Sequence, residues 1–284
     1  MSKLLVVATH RKWIADRLAE QENVPVRYDP GFDAPLLPSS VRTGWWMPTE
    51  HAARLLRAGL EISLSAPGPA WLTRVPHEYT GRSIWEGSVK DVRRCGISSG
   101  WCKPAEAKIE AVPADWWDDT AEFADALTAA GAPDSVRVQI TPTRLNISAE
   151  YRCFILNKEV AAVSLYLRNG ETYDPSWDSL PDFFIKDAAA FAAQICVQME
   201  TDQPVSYTLD VAMLESRRWI VLEGNPVWSS NPYEADPAGV VNAVMNGSTG
   251  PHGDFTWVPD PWIVQYAEKR ALLKVSTPAW NIPE

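Results

Sequence analysis

Asp210, Glu223 and Asn225 are the residues whose types and spacing most directly suggest chemistry. They lie in YTLDVAMLESRRWIVLEGNP, Tyr207 to Pro226, where two apolar runs flank a polar ESRR, the pattern of a β-hairpin. With Ser216-Arg217 as a two-residue turn, Glu215 opposes Arg218 and the ladder sets Asp210 opposite Glu223, with Cβ atoms of facing residues about 4.5–5.5 Å apart. Asn225, two residues on, shares their face. The same register puts Ala212, Leu214, Trp219 and Val221 on the Asp210 face and Val211, Met213, Ile220 and Leu222 on the other. Both faces are apolar, so the hairpin is expected to be buried. Two carboxylates side by side there repel, raising one pKa unless a cation or a proton resolves the conflict. Hard oxygen donors with no imidazole or thiolate nearby suit magnesium, which keeps several waters and shares its shell with phosphates. The expectation is a Mg-nucleotide site; the plainer alternative is a carboxylate reaching solvent at a strand end.

Two further segments carry cations. In SSGWCKPAEAKIE, Lys103 leaves a short strand just before Pro104 and Lys108 follows five residues later; lysine is a compact charge suited to phosphate oxygens, although Lys108 alone reads equally well as a solvated surface group. In EYRCFILNKEVAAVSLYLRNG, Arg152 sits in an otherwise apolar strand with Tyr151, Phe154, Ile155 and Leu156. An arginine there needs an anionic partner. Glu150, two positions earlier on the same face, offers an internal ion pair, and a phosphate group is the sharper alternative.

Several elements must position these groups. Lys3–Ala8 reads as a buried strand, Lys12–Gln21 as a helix and Val24–Tyr28 as a second strand, a β-α-β opening without G-x-G-x-x-G. A helix is expected from Thr49 through Leu60, then a proline-rich connector. A second lobe begins near Tyr79: a strand at Gly100–Lys103, a helix from Asp119 to Ala130 closed by Gly131, and a strand over Ser135–Ile140. Glu150–Leu156 and Glu159–Leu167 form a hairpin through Asn157-Lys158, Asp187 caps a helix running to Met199, and Asp236-Pro237 opens a helix ending near Gly247. The tail from Ser248 is rich in Pro and Trp, holds a helix at Pro261–Leu273, and is expected to pack the C-terminal lobe rather than cover a cleft.

The 284 residues, 46% hydrophobic and 22% charged, describe a compact protein of about two domains. A net charge of -10 opposes nucleic-acid binding. No window reaches the apolar length that crosses a bilayer, about 18–20 residues, and the first nine residues read as no secretory signal. Cys95, Cys102, Cys153 and Cys196 form no C-x-x-C pair and fit reduced thiols in a cytoplasmic protein. The four histidines form no hydrolase constellation. The 14 tryptophans invite a rival reading, a non-catalytic binder with stacked rings. Adjacent strand residues point to opposite faces, however, so one member of Trp45-Trp46 and of Trp116-Trp117 belongs to the core.

Taken in order, R-x-hydrophobic at Arg82, W-C-K-P-A-x-x-K at Trp101 to Lys108, E-Y-R-C-F at Glu150 to Phe154, Y-L-R at Tyr166 to Arg168, and D-V with E-G-N-P at Asp210 and Glu223 to Pro226 resemble the ATP-grasp superfamily of carboxylate-amine ligases, in particular an uncharacterised bacterial branch. The resemblance runs from about Tyr79 to Val244. It implies an α+β, ATP-grasp fold: an N-terminal α/β lobe over 1–78, a central lobe over 79–142 and a C-terminal lobe over 143–284, the last two clasping the nucleotide. It implies that Lys103 and Lys108 contact ATP, that Arg152 and Arg168 engage phosphates or an acyl-phosphate, and that Asp210, Glu223 and Asn225 hold Mg2+. Gln139, Ile140 and Thr141 resemble the inter-lobe hinge whose backbone meets adenine. The implied reaction activates a small-molecule carboxylate as an acyl-phosphate and joins it to an amine, an amino acid, peptide or natural-product intermediate. A kinase acting on a small molecule is the alternative on the same fold. In place of a Gly-rich loop after Lys103 the chain has Ala105-Glu106-Ala107, leaving open what covers the phosphates. No nucleic-acid or membrane partner is expected, and a homodimer is the default assembly.

Overall fold

The computed structural model describes residues 2–31, 40–106, 109, 111–174 and 182–266. Among them the chain forms three sheets. The opening LLVV run makes β1 (Ser2–Ala8), followed by α1 (Lys12–Ala19), β2 (Val26–Asp29), β3 (Val41–Trp46) and α2 (Thr49–Arg57). The strands are all parallel in the order β2-β1-β3. Helix α1 ends at Ala19, short of Gln21, and β2 starts at Val26. Strand β3 departs from expectation: V-R-T-G-W-W alternates poorly, and its conformation comes from pairing with β1 and from the later helix over 237–247, which covers it. A Cβ on Gly44 would lie 2.3 Å from Met245 Sδ, so that helix packs directly on the strand. Both Trp45 and Trp46 are buried, against the expectation of one, because this parallel sheet is covered on both faces.

Two short helical turns, α3 (Trp71–Arg74) and α4 (His77–Thr80), lead into the second sheet. Its elements are β4 (Trp85–Ser88), β5 (Gly100–Pro104), β6 (Asp115–Trp117), α5 (Thr120–Ala129) and β7 (Arg137–Thr141), with strand order β4-β7-β5-β6. Helix α5 begins as its sequence predicts, with the Asp119 side chain accepting from the Ala121 N–H at 2.8 Å. It packs Phe123 and Leu127 against Cys102, Val138 and Ile140.

The third sheet contains β8 (Ile147–Leu156), β9 (Glu159–Arg168) and β10 (Glu171–Thr172), then α6 (Asp182–Gln198), β11 (Ser206–Leu214) and β12 (Trp219–Asn225), and α7 (Pro237–Gly247) follows. Asn157 and Lys158 both adopt positive φ, 52° and 68°, as a two-residue hairpin turn requires. Helix α6 starts at Asp182, so Asp187 lies inside it and is no cap. The strand order β10-β9-β8-β11-β12 puts β8 and β11 side by side at the centre. Ala188, Ala192 and Ile195 of α6 cover one face, with Trp71 and Leu72 joining that core, while Phe154 on the other face packs with α7 and the first sheet.

The described part of the tail does pack, but not on the third sheet. Trp257 lies against Trp228, with ring centroids 4.9 Å apart, and Trp262 and Ile263 complete the core of the second sheet. The expected tail helix is seen over 261–266, and its remainder lies outside the described residues. Among the described residues, no helix is long and apolar enough to cross a membrane.

Candidate active site

The β11–β12 ladder brings Asp210 opposite Glu223, as its sequence predicts, by a route the sequence does not show. The connection is a three-residue loop rather than two: Leu214 N–H donates to Arg218 O at 2.9 Å, and Arg217 takes φ 65°. The first pairs are therefore Met213 with Trp219, Ala212 with Ile220 and Val211 with Val221. A β-bulge between Asp210 and Val211 then adds one residue to β12 and restores the expected pairing beyond it. The corrected face assignment follows from this. Val221 and Trp219 join Val211 and Met213 against α6, whereas Asp210, Thr208, Glu223 and Asn225 share the opposite face.

On that face Asp210 and Glu223 each already have a cation. Arg152 grips Asp210 with two parallel bonds, Nε to Oδ1 at 2.9 Å and Nη2 to Oδ2 at 2.7 Å. Asp210 is fully buried and Arg152 nearly so. The β8–β11 register sets this pair, since Arg152 lies directly opposite Asp210. The Arg152 partner is thus Asp210, not Glu150. Lys103 Nζ donates to Glu223 Oε2, joining the second sheet to the third. Asn225 Nδ2 bridges the two carboxylates, 3.1 Å from Asp210 Oδ2 and 2.8 Å from Glu223 Oε1. Burial works against the Arg152 charge, but the Asp210 carboxylate outweighs it and holds the guanidinium protonated above its ordinary range.

Further residues outside the predicted set complete the cluster. Glu150 accepts from Tyr166 Oη at 2.6 Å. Burial pushes its carboxyl up, the charges of Asp210 and Glu223 add to that, and the Tyr166 bond opposes it. Tyr166 stacks on Tyr233 at 5.3 Å, and the Arg152 guanidinium lies 5.3 and 5.5 Å from the two ring centroids. Arg82, buried, donates Nη1 to Val221 O at 2.7 Å and Nη2 to Leu222 O at 2.8 Å. Burial lowers its pKa to about 10, with Glu223 opposing the shift. The Y-L-R and R-x-hydrophobic elements contain Tyr166 and Arg82, but only the fold shows which groups they touch.

The remaining predicted residues are placed differently. Arg168 pairs with Ala149, on the α6 face beside the Tyr151 phenol, so the structure does not bring it to Asp210. Lys108 lies outside the described residues. Gln139, Ile140 and Thr141 sit within β7, which is paired on both sides by β4 and β5. Gln139 is opposite Lys103 and donates Nε2 to Pro69 O at 2.6 Å, on the face turned toward the third sheet. Ile140 is buried in the α5 core instead. Trp101 and Thr141 pair across β5 and β7 on the Lys103 face, Trp101 remaining 46% exposed. The tryptophans make no common platform: Trp45, Trp46, Trp71, Trp228, Trp257 and Trp262 are all core residues.

Two α+β units thus face one another, the second sheet offering Lys103 to a carboxylate cluster on the third, and this is the ATP-grasp arrangement. The D-alanine-D-alanine ligase from Coxiella burnetii is similar over 96% of this chain and 97% of its own, at 10% identity and a TM-score of 0.52. A RimK domain ATP-grasp protein from Sphaerobacter thermophilus is similar over 87% of this chain and 99% of its own, at 12% identity and a TM-score of 0.46. An ATP-grasp domain family, family 2 of its clade, has a model that matches residues 79–243, more than half of the sequence, and the chain belongs to that family. No curated protein sequence matches it. Two carboxylates and a carboxamide within hydrogen-bond reach have the hard oxygen chemistry that magnesium takes. Among the described residues no group of three or more His, Cys, Asp or Glu is placed to hold a metal.

Proposed function

We propose that this protein is an ATP- and magnesium-dependent ligase that activates a small-molecule carboxylate as an acyl-phosphate and joins it to an amine, working in the cytoplasm. The observation that carries the reading is the double pairing of Arg152 with Asp210 and Lys103 with Glu223 around Asn225. Each pair combines a group suited to phosphate with a group suited to magnesium. Asp210, Glu223 and Asn225 would hold the metal, which when bound neutralises phosphate oxygens. Lys103 and Arg152, released from the carboxylates, would turn to the phosphates and offset the charge that develops during transfer. Cation and anion thereby exchange partners as MgATP enters, so the buried charges stay matched throughout.

Glu150, Tyr166 and Tyr233 border Arg152 on the side away from Lys103 and would line the carboxylate and amine site. Gln139, Ile140 and Thr141 would supply the adenine contact, and Lys108 and Arg168 would add positive charge from segments that move toward the nucleotide. Hydroxylamine trapping tests the reaction class. With MgATP and a panel of amino acids and short peptides, hydroxamate is expected with stoichiometric ADP, abolished in Lys103→Met. A phosphate ester without hydroxamate would make the protein a kinase, and ATP bound by no folded preparation would remove the nucleotide reading altogether.

A further inference from the structure

We propose that Arg82 is a positioning residue for Glu223: its guanidinium fixes the β-bulge at Leu222 that turns Glu223 and Asn225 onto the face of Asp210. The three-residue loop at Glu215 to Arg217 starts the β11–β12 ladder one residue out of register. Continued regularly, that ladder would set Leu222 opposite Asp210, and Glu223, one residue on, would point to the α6 face because alternate strand residues face opposite ways. The extra residue at Leu222 corrects the parity. Its carbonyl and that of Val221 are the two that Arg82 binds, at 2.8 and 2.7 Å. A planar fork with two donors spans adjacent carbonyls at a bulge; an ammonium cannot.

Arg82 is itself fixed from the other side. Its Nη1 also donates to Thr80 O at 3.0 Å, and the Thr80 hydroxyl donates to Arg82 O at 3.0 Å. Gly81, with φ 64°, brings this loop so near β12 that a Cβ there would lie 3.0 Å from Ile220 Cγ2. Arg218 Nη2 donates to Glu78 O at 2.8 Å, a second tie between loop and hairpin. The carboxylate pair is thus assembled by a residue whose hydrogen bonds go to backbone carbonyls rather than to either carboxylate.

The metal consequence rests on the ligase reading; the register claim does not. Arg82→Lys keeps the charge and drops the fork, and Arg82→Met drops both. In Arg82→Lys, hydrogen exchange should accelerate about tenfold over residues 220–225, while the β8–β9 hairpin is unchanged. ATP affinity measured with chelator should stay within about twofold, and the gain on adding magnesium should shrink about tenfold, the scale of a lost positioning contact. Glu223→Gln should lose the same gain, and Arg82→Lys should add nothing to it. Wild-type exchange over 220–225 in Arg82→Lys, or an intact magnesium-dependent gain, overturns the proposal. A wild type with no such gain defeats the ligase reading instead, and the exchange measurement then decides the role of Arg82 alone. Should Arg82→Met not fold, Arg82→Lys decides the matter.

Discussion

Replacing Asp210 with leucine leaves the Arg152 guanidinium buried without its carboxylate. Arg152 is only 8% exposed and Asp210 is not exposed at all, so water cannot replace the two bonds at 2.9 and 2.7 Å. Breaking a buried pair by removing one partner costs about 3–5 kcal/mol, most of it the penalty of the stranded charge. The faces of Tyr166 and Tyr233 recover about 1 kcal/mol of that at distances of 5.3 and 5.5 Å. Asp210→Leu should therefore lose about 2–4 kcal/mol, and Arg152→Met a similar amount by stranding the carboxylate. The double variant replaces the pair with apolar groups of comparable volume and should fall within about 1 kcal/mol of wild type, as buried ion pairs generally do. Urea unfolding followed by tryptophan fluorescence measures all four proteins. Two additive single losses, or a loss below about 1 kcal/mol for Asp210→Leu, would show that the pair is solvated and that the exchange of partners proposed above has no basis.

Lys103→Met should weaken ATP about tenfold with or without magnesium and, by removing the cation beside Glu223, strengthen the binding of magnesium alone; calorimetry reads both, and an unchanged ATP affinity contradicts the phosphate role. Gly224→Ala places a Cβ 2.8 Å from Cε3 of Trp71, a buried ring that cannot retreat, and should cost about 1–3 kcal/mol, read as a lowered melting temperature; an unchanged midpoint would show that the ring gives way. Burial, aided by the charge of Asp260, pushes the Glu106 carboxyl up from 4.5 to about 7. Its contribution to stability is thus complete below pH 4.5 and lost as pH rises through about 7. Glu106→Gln should flatten that dependence between about pH 5 and 8 in thermal melts, and equal slopes for the two proteins would remove Glu106 as the source.

The local features of the fold are the legible ones. Asp119 and Asp236 announce their helices because a capping side chain acts within three residues, and Asn157-Lys158 announces its turn for a similar reason. Strand β3 and the burial of both Trp45 and Trp46 are not legible, because pairing with β1 and cover by α7 decide them. The site shows the same division. Asp210 and Glu223 are found opposite one another from sequence only because two one-residue errors cancel, a longer turn and a bulge. The bulge depends on Arg82, 139 residues from Val221, and the partner of Arg152 comes from β11, 58 residues away. Residue type marks Arg152 as needing an anion, and only the strand order chooses between Glu150 and Asp210. Asp187 misleads because an aspartate in the middle of a helix has the same composition as one at its start.

The coupling of metal and nucleotide at one cluster is tested most directly by calorimetric titration of the full chain with magnesium, with ATP in chelator, and with MgATP, repeated on Glu223→Ala. The paired carboxylates predict little heat from magnesium alone and saturable binding of MgATP that falls about tenfold or more when the metal or the Glu223 carboxylate is removed. MgATP binding that ignores both, or a folded protein that binds no nucleotide at all, would contradict the account.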